Sequence, residues 1–521
     1  MERRSLLIIA VLVVLLIVTN VATYFITSGA VTTITQFTTV LETRVITQTV
    51  TTRETVTVTV TGIPSPTPTP TPTVTPTPTP TTPAHPTPPP PIPQTELASL
   101  FPEPVTIVYW DGLTGGDGWV FDEIIKMFHE YSQGFVKVER TAIGWADLFA
   151  RLVAIWRAGD IESLPHLLMT HTDEIPLMKP FLAPMDDLLR QAGFTKEMFD
   201  PISWERCVWD GKVLCLPWDI HPMLLYFRID VAQEYGIRIP PPACEVYNLP
   251  CWDRPLEKLS DVWDWFVKEV KPKLPANITP TGWINGGGSW EFWGLVSKNV
   301  WAGKGTDEDP QPEFDGPEAM EVYRFLYEGG RQGIIGLYVW PDLANCLVGG
   351  QVFTWYHGPW MMATFDTITG GCPYGAIPLL KGVTWYQLHT FEITVRAQRD
   401  PKVLKAIEVF FRYIYQPDVH AFWGIRAGHV PTTWAAQPVY IGKAKELVGD
   451  LASKAREMWS FQVFQWGGLF MPHHPLINQI NDILNTYTTN LVAGVITPEE
   501  AARSIQQEMI SILEAWRAQI G

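Results

Sequence analysis

Apolar positions fall along this chain in three regimes. From Leu6 to Ile26 they run almost unbroken, interrupted by Thr19, Asn20 and Thr23. That length crosses a bilayer as a helix, and Arg3 and Arg4 ahead of it predict that everything later lies outside the cell. From Val31 to Thr61, Thr alternates with Val and Ile. From Pro64 to Pro93 the chain is nearly pure Thr-Pro and then Pro-rich. Such sequence buries no core. As polyproline II, at roughly 3.1 Å per residue, it reaches on the order of 90 Å, and its threonines are candidate O-glycosylation sites. Ser28-Gly29-Ala30 resembles a small-residue cleavage site. A stiff spacer, however, is useful only when both ends are held. The reading is therefore a retained anchor at 6–26, a Thr/Val-rich stalk at 27–62 and a Pro/Thr-rich linker at 63–95.

Beyond the linker the pattern becomes that of a folded body, 96–521. Val105 to Trp110 is a continuous apolar run ending at Asp111-Gly112, as in a buried strand. Val120, Phe121, Ile124, Ile125 and Phe128 then recur on one helical face. Phe135 to Glu139 predicts a second strand and Leu148 to Trp156 a second helix, stopped by Gly159. Leu164 to Met169 predicts a third strand. Further helices are expected from Asp186-Asp187, from Pro317 to Gly329-Gly330, over Lys402–Tyr415, and from a capping box at Thr497–Glu500 to about Arg517. Alternation of this kind predicts an α/β fold with a mostly parallel sheet. Ligands of open α/β sheets sit beyond the carboxyl ends of the strands. That rule selects Asp111–Thr114, Trp145 and Thr170–Glu174.

Charge and composition narrow the chemistry. The net charge is −16, and since residues 1–95 hold four Arg and three Glu, the body carries −17. An acidic body argues against nucleic acid. Six cysteines with no CxxC pair suit an oxidising compartment better than a zinc site. Local pairing is expected as Cys207–Cys215, Cys244–Cys251 and Cys346–Cys372. Asp210-Gly211 predicts a hairpin, in which a three-residue loop, but not a two-residue loop, would set Cys207 opposite Cys215. No GxSxG, HExxH, P-loop or dinucleotide motif stands in a believable place. His473-His474 lacks further ligands nearby, so no metal site is expected. Twenty-three tryptophans exceed what packing needs. Most are expected in the core, but several stand beside polar groups in loops: Trp218-Asp219, Trp283-Ile284-Asn285, Trp290-Glu291, Trp293 and His357-Gly358-Pro359-Trp360. Flat rings against sugar faces, with carboxylates on hydroxyls, is the chemistry such pairs suggest. Asp219, set between Trp218 and Ile220, is hard to explain as packing.

The order of these features resembles the extracellular solute-binding proteins typified by maltose-binding protein. The matching segments are VTIVYWDG from Val105, Leu164-Pro165-His166-Leu167-Leu168, Asp210 to Pro217, Met223 to Asp230, Gly236 to Pro241, Phe353 to Trp360, Gly424 to Pro431, and Thr497 to Ala501. The resemblance implies a two-lobed periplasmic-binding-protein-like fold (type II). One lobe would be about 104–219 with 384–431, the other about 222–379 with 432–516, joined by hinge strands near 217–222 and 379–385. It implies Trp360 as a stacking residue and Asp173 as a hydroxyl ligand. It places His221 where the family has a ligand-contacting Glu, and Thr170 and Asn481 where it has stacking tryptophans, which makes maltose itself doubtful. Asp111, Trp145, Trp218, Asp219, Trp290 and Glu291 complete the expected ligand set. The function implied is a cell-surface receptor of an ABC importer. It would take a sugar or oligosaccharide, use no cofactor and perform no catalysis, with a permease and an ATPase as partners. The alternatives are an extracellular carbohydrate-cleaving enzyme or a binding protein for a peptide or polyol.

Overall fold

Two mixed sheets, each cored on both faces by aliphatic and aromatic side chains, organise the chain. The computed structural model describes residues 85–520 apart from 298, 369 and 370. The expected anchor, the stalk and residues 63–84 of the linker lie outside the described residues. Among the described residues no helix is long and apolar enough to cross a membrane.

The first sheet has six strands in the order Val430–Pro431, Leu216–Ile220, Leu388–Ile393, Leu167–His171, Val105–Asp111, Val136–Ala142. The last three run parallel, and the others pair antiparallel. The second has five, in the order Tyr374–Ile377, Leu224–Arg228, Val352–His357, Thr279–Ile284, Ile335–Tyr338. Its last three run parallel and its first two pairings are antiparallel. The mostly parallel arrangement expected from α/β alternation therefore holds only within each three-strand block. The antiparallel strands come from the segments that pass between sheets and enter each from the opposite direction.

Those passages define the hinge. Leu216–Ile220 lies in the first sheet and Leu224–Arg228 in the second, so the chain crosses over 221–223. Tyr374–Ile377 lies in the second and Leu388–Ile393 in the first, so it crosses back over 378–387. A third passage leaves Val430–Pro431 along helix Gln437–Phe461, which breaks at Gly449 (φ 84°, ψ 169°) and packs on strand Tyr374–Ile377.

Local signals in the sequence act as expected in most places. Helix Gly116–Ser132 buries Val120, Phe121, Ile124, Ile125 and Phe128. At the last helix, Pro498–Ile520, Thr497 N donates to Glu500 Oε2 at 2.8 Å, and Glu500 N donates to Thr497 Oγ1 at 3.3 Å. The third strand begins at Leu167 rather than Leu164, because a 3-10 turn at Ile161–Ser163 and Pro165 precede it. The end of the Pro-rich stretch does not stand free. Ile92 is buried, Pro89 and Pro90 carbonyls accept from Gln416 and Arg412, and His85 stacks on Trp434 at 4.7 Å.

Two disulfides match the expected local pairs, Cys207–Cys215 and Cys244–Cys251, with Cα separations of 4.9 and 5.2 Å. The first closes across a two-residue loop, Asp210-Gly211, against the loop-length expectation. Leu214 N still donates to the Cys207 carbonyl at 2.9 Å, and the chain turns after that bond to bring Cys215 to its partner. The third expected pair is a correction: Cys346 and Cys372 are both free thiols. Cys346 rides on helix Trp340–Val348, whereas Cys372 leads into the edge strand Tyr374–Ile377, so nearness in sequence does not bring them together.

Candidate functional site

Strand register assembles one side of a cluster where the two lobes meet. His389 on the central strand pairs with His171 on one side and with Asp219 on the other. Residues directly opposite share a face of the sheet, so three separate sequence segments present one polar row at the strand ends. His221 follows in the crossing segment, and His429 stands just before the edge strand whose Pro431 faces Asp219. All are at most 3% exposed except His171, whose side chain is 12% exposed. Trp145 opens helix Trp145–Arg157 and lies over the row, 4.2 Å from the His171 ring and stacked on His389 at 5.8 Å. Gly112 makes this possible, since a Cβ there would fall 2.0 Å from the Trp145 ring.

Asp219 is the centre of this wall. His221 Nδ1 lies 2.7 Å from its Oδ1 and His429 Nδ1 lies 3.5 Å from the same oxygen. His389 Nδ1 lies 3.0 Å from Oδ2, to which Trp423 Nε1 donates at 2.8 Å. Burial alone would raise the Asp219 carboxyl. The charges of His429 and His389 and hydrogen bonds from His221 and His389 outweigh it and hold it well below the usual range. Burial likewise opposes charge on His389, but the Asp219 carboxylate raises it. His221 goes the other way: burial, then the charge of His389, keep it neutral. Beside this group stand His171, lowered to about 3 by burial, and Glu174, raised to about 7 by burial. Imidazoles and carboxylates are also the donor types that hold metal ions, and both Asp219–His221–His389–His429 and His171–Asp173–Glu174 converge closely enough for that.

The opposing wall is aromatic. The rings of Trp290, Trp360 and Trp385 lie 6.1 to 6.4 Å apart, and Trp360 stands edge-on to His221 at 6.0 Å. Trp360 folds back over Gly358, where a Cβ would meet its ring at 1.9 Å. His357 Nε2 accepts from both Trp360 Nε1 (2.9 Å) and Trp340 Nε1 (3.1 Å). Its proton therefore sits on Nδ1, 3.7 Å from Glu291 Oε1. Glu291 is 1% exposed, neither carboxyl oxygen has a hydrogen-bond partner, and burial raises it to about 8. A neutral, unpartnered buried acid is a candidate to take a donor or acceptor from a ligand. The lobes also meet where helix Met361–Thr367 packs on helix Gly116–Ser132.

The expected residues separate into two sets. Trp145, Asp219, His221, Trp290, Glu291 and Trp360 come together in the cleft. Asp173 is buried and accepts from Gln387 Nε2 through Oδ1. Thr170 is buried in the strand opposite Thr390. Asp111 commits both oxygens to Arg140, at 2.6 and 2.9 Å. Trp218 points into the core of the first lobe, stacked on His420 at 4.3 Å. Asn481 accepts from Trp293 Nε1. His473 and His474 pack apart from the cleft, against Trp209 and Trp301. Sequence reasoning missed His389, His429 and Trp385. The available signal was a His inside or beside an apolar strand, as in Leu388-His389-Thr390-Phe391. A 510 Å³ surface cavity lined by Val105, Thr106, Arg396 and Arg399 lies at the amino end of the first strand, away from this chemistry.

A family model described as bacterial extracellular solute-binding protein matches residues 123–447. Among similar solved structures is maltose-bound T. maritima MalE3, 17% identical with a TM-score of 0.60, covering 78% of this chain and 99% of that one. An ABC substrate-binding protein from Listeria monocytogenes in complex with cycloalternan is 16% identical with a TM-score of 0.61, covering 79% and 100%. UgpB from Mycobacterium tuberculosis in complex with glycerophosphocholine is 16% identical with a TM-score of 0.61, covering 80% and 100%. At these identities the likeness establishes the two-lobed fold.

Proposed function

We propose that this chain, which belongs to the bacterial extracellular solute-binding protein family, is the receptor of an ABC importer and closes on a sugar or oligosaccharide. The observation that carries the reading is the pairing of a Trp290–Trp360–Trp385 box with the unpartnered buried acid Glu291, next to the imidazole row that Trp145 covers. Ring faces stack on the C–H faces of a pyranose, while Glu291, His171 and His221 exchange hydrogen bonds with hydroxyls. Neighbouring folds captured with maltose and cycloalternan support the same solute class.

Function follows from where the groups sit. A solute touching both walls binds the closed form better than the open one, and that difference drives closure. The crossings at 221–223 and 378–387 absorb the rotation. His221 and Trp385 lie on those crossings, so solute contact and hinge are coupled through the same residues. No bond of the solute is broken; it passes to a permease powered by an ATPase. Residues 6–26 anchor the receptor and the Thr/Pro stalk keeps it within reach of that permease, raising its local concentration.

Calorimetric titration with a panel of maltodextrins, other oligosaccharides, polyols and peptides tests this. Saturable 1:1 binding of a saccharide, recovered intact by chromatography, is the expected result. Binding confined to peptides, or release of shortened products, refutes it. Fractionation of expressing cells tests the anchor: the receptor partitions with membranes rather than with the medium.

A further inference from the structure

We infer that Asp219, His221, His389 and His429 form a binding site for one divalent ion of the zinc class at the floor of the cleft. This inference shares His221 with the solute reading but does not rest on it. The four donors lie within 4.8 Å of one another and all are at most 3% exposed. Bonds of about 2.1 Å in a tetrahedral zinc site place ligand atoms about 3.4 Å apart. The His429 nitrogen stands 3.5 Å from Asp219 Oδ1, at that spacing, while His221 and His389 stand at hydrogen-bond distance from the same carboxylate, 2.7 and 3.0 Å, and give way slightly as an ion replaces their protons. A set of three imidazoles and one carboxylate suits zinc, nickel, cobalt or copper rather than the all-oxygen cations.

A hydrogen-bonded cluster without an ion accounts for only part of this arrangement. His221 Nε2 and both nitrogens of His429 are buried with no hydrogen-bond partner. Buried polar atoms rarely stay unsatisfied, and an ion beside Asp219 would take up the lone pair of His429 Nδ1, which faces that carboxylate with no hydrogen bond. Asp117 Oδ2 lies 3.8 Å from His429 Nε2, beyond hydrogen-bond length. Trp423 holds the ligands in place from behind, donating to Asp219 and stacking flat on His429 at 5.1 Å. Because His221 belongs to the crossing segment, an ion here ties the hinge to the first lobe and sits beneath Trp145.

The test uses the full chain, stripped with a chelator and desalted, titrated with ZnCl2 by calorimetry and with CoCl2 by visible absorption. One ion per chain is expected, with the absorption bands of tetrahedral cobalt. His429→Gln and Asp219→Asn are each expected to weaken zinc binding by at least about tenfold, while Cys346→Ser, which removes a partly exposed thiol, binds as the parent does. Circular dichroism of each metal-free variant separates lost ligation from lost folding. The cobalt spectrum of the parent requires no variant at all. No ion bound by the parent, a cobalt spectrum that is not tetrahedral, or unchanged affinity in the folded variants overturns the inference and leaves Asp219–His389 as an ordinary ion pair. No sugar enters this experiment, so its failure and a failure to bind saccharide are separate results.

Discussion

Replacing Glu291 with Gln tests the electrostatics of the cleft directly. The carboxyl is 1% exposed and unpartnered, and burial raises it from 4.5 to about 8. Between those values the native protein holds a proton that the unfolded chain releases. Stability must therefore fall as pH rises through that window, and below it the group contributes no pH dependence. At about 1.4 kcal/mol per pH unit the full window corresponds to a ceiling on the order of 5 kcal/mol; water entry on ionisation reduces it, so about 3 kcal/mol is the working figure. Unfolding entropy near 2 cal/mol/K per residue over roughly 430 described residues converts this to about 3 °C. Glu291→Gln cannot ionise and escapes the penalty. Scanning calorimetry without solute, at pH 5 and pH 8.5, should show the variant gaining about 3 °C on the parent between the two conditions. A difference that does not change with pH, or one that favours the parent at pH 8.5, refutes the account of Glu291 as a buried neutral acid.

Trp360→Ala removes a stacking face and should weaken saccharide binding by about tenfold or more, with melting little changed, as read by calorimetric titration; unchanged affinity would place the solute elsewhere. Arg140→Met leaves the Asp111 carboxylate buried without its partner and should destabilise by about 3–5 kcal/mol in urea unfolding. The double variant with Asp111→Asn should recover part of that loss; no recovery would mean that Arg140 acts through packing. Thiol titration should find two reactive groups in the denatured, unreduced chain and six after reduction. In the native chain Cys346 should react and the buried Cys372 should resist.

The elements were legible because local rules decide them. The apolar face of Gly116–Ser132, the Asp210-Gly211 hairpin and the Thr497–Glu500 capping box each rest on contacts within a few residues, and each forms as its sequence pattern predicts. The two-lobed plan was legible from the order of eight short segments. The site was readable only where a single segment carries it: Trp145, Trp290-Glu291, Trp360 and the isolated Asp219. Asp111 and Trp218 looked the same in sequence, yet one is consumed by Arg140, 29 residues away, and the other turns to the core because neighbouring strand positions face opposite sides.

By itself, then, the sequence determined an acidic α/β body with alternating elements and tryptophans beside acids, while of the three local disulfides it suggested only Cys207–Cys215 and Cys244–Cys251 form. Tertiary structure alone decided which polar residues meet. His171, Asp219, His389 and His429 are scattered over more than 250 positions and become neighbours through antiparallel register across the first sheet. Register is fixed by pairing over long sequence separations, and no local pattern in a single chain encodes that distance.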